Sequence, residues 1–298
     1  MMHGIINVYK EKGFTSHDVV AKLRGIAGQR KIGHTGTLDP DAEGVLPVCL
    51  GRATKVCDLL TEKDKTYEAV LLLGVTTDTQ DISGEILEKK DTAGIEESEV
   101  QKAIMSFVGE YEQIPPMYSA LKVNGKKLYE LAREGKTVER KPRKVYIQSI
   151  RILEMNLPRI RMEVSCSKGT YIRTLCQDIG EKLGCGGCME KLLRTRVSSF
   201  SLENSVKLSE IQILKDQNRL EEILIPVDEV FAHYRKIRVG KQQEALLHNG
   251  NMFYIRDPEI KPEDQEQFRV YDCQDQFVAI YRYDEAKKRF RIVKMFFN

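Results

Sequence analysis

Residues 33–44 constrain this chain more than any other stretch. Their sequence, Gly-His-Thr-Gly-Thr-Leu-Asp-Pro-Asp-Ala-Glu-Gly, holds three glycines, one proline, one histidine and three carboxylates. Glycine and proline mark a loop of special backbone geometry, and the apolar run at residues 45–50 predicts a strand that enters the core. A polar loop fixed to a buried strand is a usual place for catalytic groups. Taken alone, these residues also fit an Asp-Pro turn with no further role.

The charge of the chain is concentrated in one segment. The 298 residues carry a net charge of +3, with 41% hydrophobic and 31% charged residues, as in an ordinary soluble protein of about two domains. Residues 122–144 contain nine basic and three acidic residues, so this segment is +6 and the remainder is −3. A local positive field predicts a polyanionic partner at one surface. The alternative is a solvated, lysine-rich helix.

Cysteine usage and the N-terminus indicate a reduced, cytoplasmic protein. Seven cysteines, an odd number, argue against a disulfide framework. Cys185 and Cys188 form a lone CxxC pair, and the five histidines lie far from it in sequence, so we predict no metal site. The chain lacks the pattern of a signal peptide and any apolar run near the ~20 residues of a membrane span, so we predict no membrane association.

Periodicity predicts alternating strands and helices up to about residue 230 and a small β-rich unit after it. Residues 66–73 are typical of a buried strand, residues 171–183 of a helix with Tyr171 and Arg173 in its first turn, and residues 192–197 of the approach to a short strand. No GxxxxGK[ST] motif is present, so nucleoside triphosphate chemistry has no support.

The basic segment is predicted to form a hairpin and a helix. Asn124-Gly125 is a strong hairpin signal, residues 126–134 fit a helix, and Gly135 ends it. Tyr118 and Tyr129 accompany the lysines and arginines, a composition that suits phosphates, sugars and stacked bases. Because its apolar content is low, we interpret the segment as an arm that leaves the globule.

Five motifs, in order, resemble one family. Residues 33–47 resemble the signature of the TruB-type tRNA pseudouridine synthases, GHTGTLDPxAxGVLP. The later motifs match in the same order: Lys65-Thr66-Tyr67, residues 113–131, Gly169-Thr170-Tyr171-Ile172-Arg173-Thr174-Leu175 and Leu192-x-Arg194. The tail from about Ile237 resembles a PUA domain, a small RNA-binding barrel. The resemblance therefore covers nearly the whole chain.

This resemblance implies an α+β fold, with a large mixed, mostly antiparallel sheet flanked by helices and a small C-terminal β-barrel. The implied domains are residues 1–230, which are catalytic and include an RNA-binding insertion at about 112–144, and the PUA-like residues 231–298. The implied reaction isomerises a uridine in the T loop of tRNA, position 55, to pseudouridine. The family uses no cofactor or metal, and the implied partner is the T arm of tRNA. We expect a monomer that requires no protein partner.

The resemblance also assigns residues. Asp39 matches the catalytic aspartate, with Arg173 beside it, and a neighbouring guanidinium favours the ionised carboxylate. Tyr67 and Tyr171 are carried over as catalytic and uridine-binding residues; Tyr67 offers a stacking face for a flipped base, and Tyr171 a proton donor or acceptor. The remaining assignments are uridine binding by His34 and Leu192, and binding of the T stem by Lys122, Lys126, Lys127, Arg133 and Arg143.

Each of these residues also has a structural interpretation. A tyrosine on an apolar strand is more often part of a core, His34 fits a loop histidine bonded to its own turn, and Leu192 fits a pocket wall. Two other functions stay open: a relative guided to ribosomal RNA by a partner complex, and an RNA-binding or tRNA-folding module in which the chemistry is secondary or lost.

Overall fold

The computed structural model describes residues 1–123, 125–255 and 259–296. The strands before residue 230 are β1 Gly4–Lys10, β2 Ile32–His34, β3 Glu43–Leu50, β4 Lys65–Leu73, β5 Val75–Thr77, β6 Ile86–Lys89, β7 Gly109–Gln113, β8 Lys122–Val123, β9 Lys126–Lys127, β10 Arg143–Asn156, β11 Arg159–Cys166, β12 Gly187–Val197, β13 Phe200–Ser201 and β14 Val206–Lys207. The α-helices in this part are α1 Ser16–Ala27, α2 Cys57–Thr61, α3 Glu97–Met105, α4 Leu128–Arg133, α5 Ile172–Lys182 and α6 Leu208–Asp216. Short 3-10 helices span Gly51–Val56, Leu220–Ile223 and Val227–Phe231.

Ten of these strands form one mixed sheet. Its order is β14-β1-β3-β12-β4-β11-β10-β7, with β2 on β3 and β13 on β12. Within this sheet, the described residues form only two parallel pairs, β1–β14 and β3–β12. The predicted large, mostly antiparallel sheet is therefore confirmed. Strand β12 is longer than the short strand predicted near residue 197, because it bonds β3 on one side and β4 on the other.

Helices α1, α5 and α6 pack on one face of the sheet, because the register of β3, β12 and β4 places Leu46 on the same side as Tyr67. Helix α5 packs its apolar side against β4 and β11 through Ile172, Leu175 and Ile179, and α1 and α6 pack against β1 and β3. The other face of β1 and β3 packs against α2. Helix α1 begins at a capping box between Thr15 and Asp18 and ends at Gly28, whose backbone is left-handed. These caps fix the start of α1 beside the loop that joins β2 to β3.

The C-terminal unit contains β15 Arg235–Arg238, α7 Lys241–His248, β16 Gln267–Tyr271, β17 Phe277–Asp284 and β18 Arg289–Met295. The described strands form an open four-stranded sheet, β15-β16-β17-β18, rather than the closed barrel predicted. Beyond it, Phe253 forms an isolated bridge to Phe290. An apolar cluster joins Ile280 and Phe296 of this unit, together with Phe231, to Ile5 and Val45 of the large sheet.

The basic segment differs from its prediction in two ways. Residues 126–127 pair with residues 122–123 as a short hairpin, so the helix begins at Leu128 rather than at residue 126. The predicted turn residue Asn124 lies outside the described residues. Leu128 and Leu131 are buried, so the segment is packed rather than free. Among the described residues, no helix is both long enough and apolar enough to cross a membrane.

Candidate active site

Asp39 lies at the mouth of a large cleft, in the loop between β2 and β3. The cleft measures about 1700 Å³, and the predicted residues Tyr67, Tyr171, Arg173 and Leu192 line it together with Asp39. The side chain of Asp39 is 42% exposed, so its carboxylate is accessible to a ligand. Three neighbouring strands and one helix start bring these residues together: β3 follows the loop, β4 carries Tyr67, β12 carries Leu192, and α5 begins after Tyr171.

Arg173 is buried beneath Asp39 and fixed by four oxygen atoms. Its Nε lies 3.0 Å from Asp39 Oδ2 and 3.8 Å from Asp81 Oδ2, and the side chain is only 6% exposed. Its Nη1 donates to the carbonyl of Thr79 at 3.0 Å, and its Nη2 to the carbonyl of Tyr118 at 2.8 Å. The guanidinium therefore forms an ion pair with the Asp39 carboxylate from a fixed position.

Asp81 is a site residue that the sequence analysis did not single out. Its Oδ1 accepts hydrogen bonds from Thr79 Oγ1 at 2.9 Å and from the Ser83 amide at 3.1 Å. This leaves Oδ2 facing Arg173, which thus lies between two carboxylates. The sequence signal was weak: Asp81 ends the polar run of residues 76–81, which is typical of any surface loop.

The backbone on both sides of Asp39 is held by buried polar side chains. The Leu38 amide donates to Ser16 Oγ at 2.9 Å. Lys10, which is fully buried, donates through Nζ to the carbonyls of Pro40 at 3.1 Å and Ala42 at 2.5 Å. Burial lowers the pKa of Lys10 to about 8, against the attraction of the Asp39 and Glu43 carboxylates. A single lysine at the end of a strand gives no sequence signal for this role.

Tyr67 and Leu192 form the apolar side of the cleft. Tyr67 is 8% exposed, and burial raises its pKa to about 12, so the phenol stays protonated near neutral pH. Its hydroxyl contacts the guanidinium of Arg194, which lies opposite it on β12. Leu192 is half-buried and pairs with Ala69, two residues along β4. A flat aromatic ring beside an aliphatic wall suits a planar base.

Tyr171 is fixed by an amide that the sequence analysis left without a role. Gln113 Nε2 donates to the Tyr171 carbonyl at 2.9 Å, and the Tyr171 amide donates to Gln113 Oε1 at 2.8 Å. Gln113 is 1% exposed, so this two-way bond sets the backbone of Tyr171 at the start of α5. Burial raises the pKa of the Tyr171 phenol.

His34 does not line the cleft. Its Nδ1 accepts a hydrogen bond from the Gly36 amide at 3.2 Å, and its ring lies edge-on to His17 at 5.4 Å between centroids. Burial, followed by the charges of His17 and Arg194, lowers the pKa of His34 and favours the neutral ring. The bond to its own turn matches the structural interpretation, while contact with RNA stays a prediction.

Two of the predicted RNA-binding residues lie at the cleft, and the other three lie on the β8–β9 hairpin. Arg133 and Arg143 line the cleft together with Tyr129. Lys122 and Lys126 are exposed on the β8–β9 hairpin, and Lys127 lies beside the ring of Tyr129 with its Nζ 5.3 Å from the centroid. These residues therefore form a positively charged surface with one aromatic face, next to the opening above Asp39.

One group in the described part of the chain has the donors of a metal site, but it lies in the C-terminal unit. Donor atoms of Glu244, His248 and Asp272 all lie within 4.8 Å of one another. His248 Nε2 is 3.5 Å from Asp272 Oδ2, and Cys273 Sγ donates to Glu244 Oε1 at 3.0 Å.

The chain matches known proteins along most of its length. Residues 24–172 match the TruB family pseudouridylate synthase (N terminal domain), and residues 173–232 match the tRNA pseudouridylate synthase B C-terminal domain. Among curated relatives, tRNA pseudouridine synthase B of Lachnoclostridium phytofermentans is 56% identical, over 99% of this chain and 100% of that protein. The protein of the same name in Alkaliphilus oremlandii is 46% identical, over 100% and 99%.

Solved structures share the fold. The Cbf5-Nop10-Gar1 complex contains a chain that is 26% identical, with a TM-score of 0.72 over 98% of this chain and 84% of that chain. An H/ACA RNP bound to a substrate RNA containing 2'-deoxyuridine contains one that is 23% identical, with a TM-score of 0.72 over 99% and 85%. With the matches over residues 24–232 and the curated relatives, the conclusion is direct: this chain belongs to the TruB family of pseudouridylate synthases.

Proposed function

We propose that this protein converts the uridine at position 55, in the T loop of tRNA, into pseudouridine, with Asp39 as the reacting group. The observation that carries the proposal is the Asp39–Arg173 pair, 3.0 Å apart, in a cleft lined by Tyr67, Tyr171 and Leu192. The curated relatives at 56% and 46% identity are named as tRNA enzymes, which supports the substrate class.

The reaction is an isomerisation, so reactant and product contain the same atoms and no co-reactant is consumed. The bond between uracil N1 and ribose C1′ breaks, the uracil rotates, and a bond between C5 and C1′ forms. C5 loses its proton to a base and N1 gains a proton, so the atoms balance. Asp39 attacks C1′, attacks uracil C6, or assists a glycal route. All three routes place the Asp39 carboxylate beside the reacting nucleotide, and Arg173 fixes the position of that carboxylate.

The target base has to leave its stack to reach Asp39. Tyr67 lies on the wall of the cleft and is almost fully buried, so a base stacked within the T loop cannot touch it. Stacking on the Tyr67 ring then compensates for part of the lost base stacking, at roughly 1–3 kcal/mol per base. Tyr171, with its phenol protonated, lies at the same cleft and is suited to proton transfer at the ring.

The proposal assigns RNA binding to two further parts of the chain. The insertion, residues 112–144, holds the T stem through Lys122, Lys126, Lys127, Arg133 and Arg143. Residues 231–298 form the second RNA-binding unit, beside catalytic residues 1–230. We further propose that the protein acts in the cytoplasm as a monomer, without a guide RNA or protein partner.

The test is incubation of the purified protein alone with an unmodified tRNA transcript, followed by mapping of pseudouridine by chemical modification and primer extension. We expect a single pseudouridine, in the T loop. Product only after addition of a guide RNA and partner proteins would favour the alternative that the H/ACA structures suggest. RNA binding without any product would favour an RNA-folding module. Either result contradicts the proposal.

A further inference from the structure

Arg194 lies under the Asp39 loop and is one of the most completely buried large side chains in the described part of the protein, at 1% exposure. Its Nε donates to the carbonyl of Val45 at 2.7 Å, Nη2 to the carbonyl of Gly36 at 3.2 Å, and Nη1 to the carbonyl of Thr37 at 3.4 Å. One planar group thus joins the backbone before Asp39 to the strand after it.

The charge of Arg194 has no carboxylate partner in the part of the chain that the structure describes, because no acidic oxygen lies within 4.0 Å of its guanidinium. Burying a cation with only neutral acceptors is unfavourable, and a neutral side chain would avoid this cost. Arg173 differs, since it faces two carboxylates. The presence of a buried arginine at this position therefore indicates that the planar set of guanidinium N–H donors is needed.

The main chain at Arg194 is also in close contact with the loop. Arg194 pairs with Gly44 in the parallel ladder between β12 and β3. A Cβ at Gly44 would lie 2.2 Å from the Arg194 carbonyl oxygen, and the φ of Gly44 is +107°, so only glycine fits. On the other side, Arg194 pairs with Tyr67 on β4, and the Tyr67 hydroxyl contacts its guanidinium.

We propose that Arg194 is a positioning residue for the reaction. It fixes the position of Asp39 relative to the ring of Tyr67. Through the carbonyls of Gly36, Thr37 and Val45 it fixes the loop from which Asp39 projects, and through the phenol of Tyr67 it orients the ring on which the base stacks. Its own bonds are to protein atoms, so it acts through Asp39 and Tyr67. This inference rests on the proposed function and assigns a role to Arg194, which that function leaves without one.

A lysine at position 194 cannot make the same set of hydrogen bonds. Three carbonyls and a phenol surround the guanidinium from different directions, and its planar fork offers five donors, whereas an ammonium group offers three from a single point. Arg194→Lys therefore keeps the charge and loses the geometry. A shift of about 1 Å in a reacting group is enough to lower a rate on the order of 100-fold.

The experiment compares Arg194→Lys with Arg196→Lys. Arg196 lies on the same strand but is exposed, and its Nε bonds only Thr66 Oγ1, at 3.2 Å, so it is the matched control. A T-arm stem-loop RNA is used to measure the dissociation constant and, separately, the single-turnover rate at saturating protein. For Arg194→Lys we expect an affinity within about threefold of wild type and a rate lowered about 100-fold; Arg196→Lys stays within about threefold in both.

Three outcomes overturn the inference. The first is a rate for Arg194→Lys within threefold of wild type. The second is weaker RNA binding with an unchanged rate at saturation. The third is a loss of rate that disappears when only the folded fraction, measured by circular dichroism, is counted, because Arg194 would then serve stability alone.

Gly44→Ala perturbs the same junction without changing any side chain of the site. We expect it to lower the single-turnover rate at least tenfold with little change in affinity, and an unchanged rate in the folded variant would also overturn the inference. A wild-type protein that makes no pseudouridine under the same conditions would instead contradict the proposed function, so the two failures are distinguishable.

Discussion

The Asp39 loop and the basic insertion at residues 112–144 are polar segments on the same cleft, but they are held in opposite ways. Around Asp39, the anchoring side chains Lys10, Arg173 and Arg194 are buried, and most of their bonds go to backbone carbonyls. In the insertion, most charged groups are exposed, and its internal ion pairs, those of Lys126 and Lys136 with Glu134, lie at the surface.

The difference matches the two tasks of the proposed reaction. A bond-making carboxylate needs one fixed position, whereas a phosphate backbone is held by charge and tolerates small movements. Exposed ion pairs add little stability, so the lysines of the insertion are free to exchange Glu134 for RNA. Arg173 connects the regions, because it bonds both Asp39 and the carbonyl of Tyr118 at the base of the insertion.

The largest expected effect is that of Asp39→Asn. The amide keeps the size of the side chain but removes the nucleophile, so pseudouridine formation on a T-arm stem-loop falls by at least about 1000-fold. RNA affinity stays within several-fold of wild type. The matched control is Asp41→Asn, since Asp41 is exposed on the same loop and lies 3.8 Å from Lys12. Full activity of Asp39→Asn in a single-turnover assay would remove it from the chemistry.

Asp81→Asn tests whether the position of Asp39 depends on both carboxylates around Arg173. Without the second charge, the guanidinium is less firmly placed, and we expect a single-turnover rate lowered roughly 10- to 100-fold with little change in affinity. Asp78→Asn serves as the control, because Asp78 lies nearby in the same loop and bonds the Glu85 amide at 2.7 Å. Equal rates for wild type and Asp81→Asn would show that Asp39 alone suffices to orient Arg173.

Removing charge from the insertion should weaken binding and leave the chemistry unchanged. With Lys126, Lys127 and Arg133 changed to glutamine, we expect affinity to fall about 20-fold and the slope of log affinity against log salt to flatten by about 2. The rate at saturating protein stays near wild type. The control removes the same charge from exposed sites elsewhere, at Lys89, Lys102 and Lys215. An unchanged slope in the insertion variant would place the RNA elsewhere.

The smallest expected effect concerns the pH dependence of Lys10. Its pKa is about 8 in the folded protein and 10.5 when exposed, so between these values the unfolded chain binds the extra proton. The free energy of unfolding of wild type, relative to Lys10→Met, should therefore rise by about 1 kcal/mol between pH 7.5 and pH 9.0. Urea unfolding at both pH values measures this difference. A constant difference would mean that Lys10 keeps its proton in the fold up to pH 9.0, so that burial does not lower its pKa.

The parts of the molecule that follow local rules were predictable from sequence. Apolar runs and caps indicated β4 and α1, and the charge count marked the insertion. Lys10, Asp81 and Gln113 were missed because their partners lie in distant segments and are largely backbone atoms, which leave no residue pattern. The start of α4 was misplaced because pairing of residues 126–127 with residues 122–123 competes with helix formation.

In the proposed function, the Asp39 loop serves chemistry and the insertion serves binding. The most direct test measures the single-turnover rate at saturation and the dissociation constant for Asp39→Asn and for the triple insertion variant, on one stem-loop RNA. The account predicts that Asp39→Asn loses the rate and keeps the affinity, while the triple variant keeps the rate and loses affinity. Rate and affinity falling together in both variants would contradict it.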